Sequence, residues 1–242
     1  MSRGTPPPSY AEATSSDTPT PEYQDITERT PNFLYFHRTT QGIQIFSAAN
    51  EKEPRYYVGR YQGLDHPDII LHRGGDRSRP AAGQATFSHS EKDFAIAIDA
   101  PANSLAANQE VVRCISNHSI FGADSYQYAV PANSSLEGHA TLQSFTWKHT
   151  HDSHLGSAVW KSKDFKLVDD ATEEVVAVYI NLSDTNNVMS RLEWKMTYSV
   201  DEEIRALTVL MAFIERIRRF KKQASRASVV GAAQGPRRGK VY

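Results

Sequence analysis

Short segments in which apolar and polar residues alternate fill most of this chain, and turn residues separate them. Residues 94–98 (Phe-Ala-Ile-Ala-Ile) and 165–167 (Phe-Lys-Leu) show the period of two that is typical of half-buried strands. The candidate strands are residues 33–37, 43–47, 55–61, 68–72, 85–88, 94–99, 110–115, 126–130, 142–149, 158–161, 165–168, 175–181 and 191–196. About a dozen strands before any long helix favour a β-sandwich or β-barrel over a parallel α/β sheet.

The pattern changes at residues 199–224, which predict one long helix. Residues 206–214 are apolar on every helical face, and such a helix has to be buried on all sides. The apolar run of about nine residues is shorter than the roughly 20 that a bilayer core requires, so we expect the helix inside a closed β-structure. Ser199 and Glu202 have the spacing of a capping box at its first turn.

Composition divides the chain into three parts. Residues 1–31 are rich in Pro, Ser, Thr and Glu and poor in aliphatic residues, which predicts a disordered arm. Residues 32–224 form the predicted barrel domain with its central helix, and residues 225–242 form a flexible basic tail. The predicted fold is therefore mainly β, an antiparallel barrel of about twelve strands around a C-terminal hydrophobic helix, with disordered N- and C-terminal tails.

Charge and cysteine content narrow the possible functions. The formal net charge is -1 and charged residues make up 23% of the chain, so no global positive field favours nucleic acid as a partner. The single cysteine, Cys114, excludes an internal disulfide framework and lies in an apolar strand typical of inert core. The first residues lack the apolar core of a signal peptide, and we expect a cytoplasmic protein that associates peripherally with membranes.

Motifs for catalysis or metal binding are weak. The chain contains no Gly-x-Ser-x-Gly, P-loop or Gly-x-Gly-x-x-Gly motif, so we expect no enzymatic activity and no cofactor. His149, His151, Asp152 and His154 resemble a metal-binding cluster, because imidazoles and a carboxylate are suitable ligands for zinc or copper. No further ligand is paired with them in the sequence, and we interpret the segment as a solvated loop without a metal.

Several segments resemble the tubby C-terminal-like superfamily, which includes tubby proteins, phospholipid scramblases and LURP-one-related proteins. The resemblance lies in Phe145-Thr146-Trp147-Lys148-His149-Thr150, Phe165-Lys166-Leu167-Val168-Asp169, Val175-Val176-Ala177-Val178-Tyr179, the helix end Glu215-Arg216-Ile217-Arg218-Arg219 and the earlier Ile70-Leu71-His72-Arg73-Gly74. It is strongest to uncharacterised fungal tubby-like proteins and implies a twelve-stranded barrel around a central C-terminal helix. Neither the lipid-binding basic pair of tubby nor the calcium-binding segment of scramblases can be placed on this chain.

The predicted N-terminal arm contains Pro7-Pro8-Ser9-Tyr10, a Pro-Pro-x-Tyr sequence. Consecutive prolines favour the polyproline II conformation that WW domains bind in an aromatic groove. Pro7, Pro8 and Tyr10 are therefore the candidate contacts for a WW-domain protein, and ubiquitin ligases of the WW type recognise such motifs. Chance occurrence in a Pro- and Tyr-containing arm is the alternative.

Basic residues are concentrated at the end of the predicted helix. The candidate lipid contacts are Arg216, Arg218, Arg219, Lys221 and Lys222. Such a cluster attracts an anionic leaflet with roughly 1 kcal/mol per charge. The same charges also compensate the negative end of the helix dipole, and the two roles are compatible.

Together these patterns predict a non-enzymatic interaction module or membrane-associated adaptor. The barrel would contact anionic lipid, with phosphoinositides among the candidates, or protein, while the arm recruits a WW-domain partner. The alternative is a scramblase-like or other lipid-handling protein. A helix that fills the barrel argues against an internal lipid cavity.

Overall fold

The computed structural model describes residues 32–61, 66–88, 92–99, 109–115, 124–131, 142–157, 164–185 and 188–233. These residues form twelve strands, a short 3₁₀ helix and one α-helix. The strands are β1 (Phe33–Arg38), β2 (Ile43–Ser47), β3 (Tyr56–Arg60), β4 (Ile69–Arg73), β5 (Ala81–Phe87), β6 (Phe94–Ile98), β7 (Glu110–Ile115), β8 (Ser125–Pro131), β9 (Leu142–His149), β10 (Phe165–Asp169), β11 (Val175–Thr185) and β12 (Val188–Trp194). The 3₁₀ helix is Ser153–Leu155, and the α-helix α1 is Val200–Ala233.

Each strand pairs in antiparallel register with its neighbours in the sequence, and the first and last strands also pair with each other. Leu34 on β1 lies opposite Leu192 on β12, and this pairing closes the sheet into a barrel. Closure removes the exposed strand edges that would otherwise present unpaired backbone groups. The antiparallel twelve-stranded barrel that the sequence predicts is confirmed.

The alternation within the strands explains which side chains line the interior. On β1, Leu34 and Phe36 are completely buried, while Tyr35 between them is only half-buried. On β2, Ile43 and Ile45 are buried in the same way. A period of two directs these residues to the inner face of the barrel, where they belong to the same hydrophobic core as the buried residues of the helix.

Helix α1 passes through the barrel and contacts strands on several sides. The Trp147 indole on β9 donates a hydrogen bond of 3.1 Å to the backbone oxygen of Ala206. The rings of Tyr126 and Phe213 lie 4.6 Å apart, and Gly83 on β5 packs directly against Thr208. The central position predicted for the helix is therefore confirmed.

The start of the helix also follows its sequence signal. The Glu202 backbone N–H donates to Ser199 Oγ at 3.3 Å, and the Ser199 backbone N–H donates to a Glu202 carboxylate oxygen at 2.6 Å. This reciprocal pair is a capping box. At its other end the helix continues to Ala233, past the predicted end at residue 224. Among the described residues, no helix has an apolar stretch long enough to cross a bilayer.

The observed strands differ from the predicted ones mainly at their ends. The largest shifts of a strand end are four residues: β11 ends at Thr185 instead of residue 181, and β5 begins at Ala81 although the sequence pattern predicts a start at residue 85. Gly83 and Gln84 interrupt the apolar pattern, yet both pair in register with β6. The candidate strand at 158–161 and the predicted arm at 1–31 lie outside the described residues.

Candidate functional site

Two buried glutamates lie near the two points where helix α1 enters and leaves the barrel. Glu203 is completely buried and Glu215 is 1% exposed. Glu203 contacts Tyr56 at the start of β3 and Glu215 contacts Arg60 at its end, so the two glutamates lie toward opposite ends of the barrel. At 1.5 Å per residue, the twelve steps between the glutamates correspond to about 18 Å. We call the two openings the entry mouth, at Glu203, and the exit mouth, at Glu215.

At the entry mouth, Glu203 is bound by a tyrosine and an arginine from the start of β3. The Tyr56 hydroxyl donates to Oε1 at 2.7 Å, and Arg55 approaches the same oxygen at 2.8 Å. Burial, together with the charge of Glu203, raises the pKa of Tyr56 to about 12. The tyrosine therefore remains protonated near neutral pH and donates its hydrogen bond to the carboxylate.

At the exit mouth, three arginines converge on the carboxylate of Glu215. Arg218 donates two hydrogen bonds of 2.6 Å, one to each oxygen, and Arg219 donates a third of 3.0 Å. Arg60 from β3 lies 3.3 Å away. Burial acts to raise the pKa of Glu215, but the hydrogen bonds from Arg218 and Arg219 outweigh it and hold the pKa below its usual range. The carboxylate is therefore charged near neutral pH.

Two of the helix arginines also lie against the aromatic ring of Phe87 at the end of β5. The Arg219 guanidinium is 4.8 Å from the ring centroid and donates a 2.6 Å hydrogen bond to Asp68. The Arg216 guanidinium is 5.1 Å from the same centroid and donates a 3.3 Å hydrogen bond to the backbone oxygen of Asp93. These contacts attach the helix to the wall of the barrel as it leaves.

Beyond this point the side chains of residues 220–225 face solvent. Phe220 is 70% exposed, and Lys221 and Lys222 next to it are exposed as well. Neither lysine forms an ion pair with a carboxylate in the described parts of the chain. We call Phe220, Lys221 and Lys222 the exit tip. It combines a large apolar side chain with two positive charges that no described acidic group neutralises.

The five basic residues identified from the sequence therefore occupy three different environments. Arg216 and Arg219 contact the barrel wall, and Arg218 pairs with Glu215 while its side chain stays 41% exposed. Lys221 and Lys222 extend into solvent. Pro7, Pro8 and Tyr10, the candidate WW contacts, lie outside the described residues.

The histidine segment shows no metal-binding geometry. His149 packs its ring against Phe165 and Phe213, with centroids 4.6 and 5.7 Å away, while His151 and His154 are exposed. Burial lowers the pKa of His149, and the nearby charges of His151 and Lys221 add to this effect. Within the described part of the chain, no three His, Cys, Asp or Glu side chains gather where they could hold a metal ion.

Phe220 is the residue of the exit tip that sequence reasoning missed. Its signal was present, because a lone aromatic residue stands between the pairs Arg218-Arg219 and Lys221-Lys222. Read from the sequence, it could equally extend the buried face of the helix. Phe220 is exposed because it lies beyond Phe87, the last barrel residue that the arginines of the helix end contact.

Comparison of this chain with models of known protein families, with curated proteins and with solved structures gives no match.

Proposed function

We propose that this protein is a membrane-associated adaptor without enzymatic activity. Its exit tip contacts an anionic lipid surface, and Pro7, Pro8 and Tyr10 recruit a WW-domain protein of the ubiquitin-ligase type. The observation that carries the lipid contact is the 70% exposure of Phe220 beside the exposed Lys221 and Lys222, at the point where the helix leaves the barrel.

The exit tip has the two components of an interfacial membrane contact. An aromatic side chain gains free energy when it inserts at the boundary between headgroups and acyl chains, and neighbouring lysines bind the anionic headgroups. Each basic side chain near an acidic leaflet contributes about 1 kcal/mol. The partly exposed guanidinium of Arg218 adds positive charge on the same side of the barrel.

The alternative is a scramblase-like or lipid-handling protein with its lipid inside the barrel. The interior is occupied by helix side chains, among them Leu207, Leu210 and Phe213, all of them buried. This filling favours a role at the outer surface over an internal lipid cavity. A barrel of twelve strands around a C-terminal helix is also the architecture implied by the resemblance to tubby-like proteins, and we propose distant membership of that superfamily.

The lipid contact is tested by sedimentation of the full chain with vesicles of phosphatidylcholine, with phosphatidylcholine plus phosphatidylserine, and with added phosphoinositide. We expect binding to the anionic vesicles that weakens from low to physiological salt, because salt screens exposed charges. Lys221→Gln together with Lys222→Gln should weaken binding about thirty-fold, since two charges contribute about 2 kcal/mol. Phe220→Ala should weaken it further.

The matched control is Lys52→Gln together with Arg79→Gln, which removes the same number of positive charges from exposed positions in the β2–β3 and β4–β5 turns, at the side of the entry mouth. We expect this pair to leave vesicle binding close to that of the unmodified chain. Equal losses in both double variants would mean that net charge, and not the exit tip, determines binding. Equal binding to neutral and anionic vesicles would contradict the proposal directly.

The WW contact is tested separately, by capture of the full chain on immobilised WW domains of ubiquitin ligases. Tyr10→Ala should abolish capture because the tyrosine ring fills its own pocket beside the proline groove. The melting temperature should not change, since the barrel begins at Phe33. Capture that persists in Tyr10→Ala would contradict this part of the proposal.

A further inference from the structure

Ser225 lies one helical turn beyond the two lysines of the exit tip. It is three residues from Lys222 and four from Lys221, and residues at these spacings are neighbours on a helix surface. The residue is exposed, and its hydroxyl donates a 2.6 Å hydrogen bond to the backbone oxygen of Lys221. Ser225 therefore lies beside both lysines at an exposed position of the helix.

The surrounding sequence places positive charge on both sides of this hydroxyl. Arg218, Arg219, Lys221 and Lys222 precede it, and Arg226 follows it directly. Protein kinases select substrates by complementary charge, and a kinase with an acidic substrate groove would recognise this pattern. A kinase also needs its substrate in an extended form. Residues 220–225 are all exposed, and helical turns without packing are marginally stable in water, so local unwinding is inexpensive.

We propose that Ser225 is a phosphorylation site for a kinase that prefers basic substrates, and that its phosphate releases the exit tip from anionic lipid. The second part rests on the proposed function. In the reaction, Ser225 Oγ attacks the γ-phosphorus of ATP bound by the kinase, and an oxygen–phosphorus bond forms. The bond from that phosphorus to the bridging oxygen breaks, ADP leaves with the electron pair, and the hydroxyl proton passes to a carboxylate of the kinase.

The phosphate acts on the exit tip through charge. Phosphoserine carries a charge of about -1.5 to -2 at pH 7, which offsets the charges of Lys221 and Lys222 within one helical turn. With about two charges offset, affinity for anionic vesicles should fall about thirty-fold.

The test uses the full chain, a kinase with basic substrate preference, magnesium and ATP, with mass spectrometry to locate the phosphate. We expect phosphate on Ser225 and its loss in Ser225→Ala. The phosphorylated chain should then bind vesicles of phosphatidylcholine plus phosphatidylserine about thirty-fold more weakly than the unmodified chain. Kinase-treated Ser225→Ala should bind as the untreated chain does.

A charge-matched pair of variants separates local from global effects. Ser225→Glu adds one negative charge beside the lysines and should weaken binding about five-fold. Asn50→Asp adds the same charge in the turn between β2 and β3, at the side of the entry mouth, and should leave binding unchanged. Equal effects of the two variants would overturn the local mechanism.

The remaining outcomes distinguish this inference from the proposed function. Phosphate found elsewhere but not at Ser225 overturns the assignment of the site. Phosphate at Ser225 with unchanged vesicle binding overturns the switch and leaves the lipid contact intact. Failure of the unmodified chain to bind anionic vesicles overturns the lipid contact and the switch together.

Discussion

Glu215 is almost completely buried, yet it carries a charge because three guanidiniums replace the water that it loses. Moving a carboxylate out of water is unfavourable, and this free-energy cost is offset when hydrogen bonds from positively charged partners replace those from water. Arg218 supplies a two-pronged contact, while Arg60 and Arg219 approach from the barrel and from the helix. These contacts hold the arginines of the helix end near the barrel, whereas the lysines that follow them remain exposed.

Replacement of Glu215 by glutamine should destabilise the protein and change how its stability depends on pH. We expect a loss of about 3 kcal/mol near neutral pH, because three arginines lose their buried partner. The folded-state pKa of Glu215 is lowered, so its contribution is fully present above the unfolded value of about 4.3 and is lost as the pH falls through the folded value. In urea denaturation at pH values from about 3 to about 7, the free energy of unfolding of Glu215→Gln should depend less on pH than that of the unmodified chain.

The control for this variant is Glu193→Gln. Glu193 pairs with Lys195 at the surface, where both side chains are partly exposed. Exposed ion pairs contribute about 0–1 kcal/mol, so this variant should stay within that range at neutral pH. Equal losses in the two glutamine variants would contradict the role assigned to the burial of Glu215.

The sequence predicts the bounds of several strands correctly. The observed bounds of β2, β7 and β9 equal the predicted ones. The prediction fails at β5, where Gly83 and Gln84 resemble a turn. Gly83 is there because of packing, since a Cβ at this position would lie 2.2 Å from Thr208 Oγ1 on the helix. That contact joins elements far apart in the chain, and no local pattern predicts it.

The exit mouth shows the same limit for the candidate site. The sequence identifies the basic residues of the helix end, but Arg219 pairs with Asp68, which is 151 positions away. Which basic residues contact the barrel and which face solvent depends on where the barrel wall ends in three dimensions. For this reason the sequence predicts a basic cluster and not the exposed Phe220 within it.

The contact between β5 and the helix can be tested with Gly83→Ala. The added methyl group overlaps Thr208, and we expect a loss of about 1–3 kcal/mol from overpacking. Thr208→Ala removes the overlapping oxygen, so the double variant should be more stable than the sum of the two single losses predicts. A double-mutant cycle by chemical denaturation measures this coupling. Additive losses would show that Gly83 does not pack against Thr208.

The closed sheet and the helix depend on each other. Barrels of eight strands are filled by their own side chains, whereas wider barrels enclose a space that something else has to occupy. In this twelve-stranded barrel the helix occupies that space, with Leu207, Leu210 and Phe213 buried along it. The strands in turn cover the helix with apolar side chains. Without this cover, a helix that is apolar on every face would associate with other molecules. We therefore expect barrel and helix to unfold as one unit.

Leu210→Asp tests this dependence, with Phe220→Asp as the matched change on the same helix. Leu210 is completely buried in the barrel, so an aspartate there buries an unpaired charge and should abolish the cooperative melting transition of the whole domain. The milder Leu210→Ala should cost about 2–5 kcal/mol and keep a single transition. Phe220 is 70% exposed, so its aspartate variant should change stability by no more than about 0.5 kcal/mol. Circular dichroism during heating measures these transitions, because both the strands and the helix contribute to the signal. A normal melting curve for Leu210→Asp would place the helix outside the barrel.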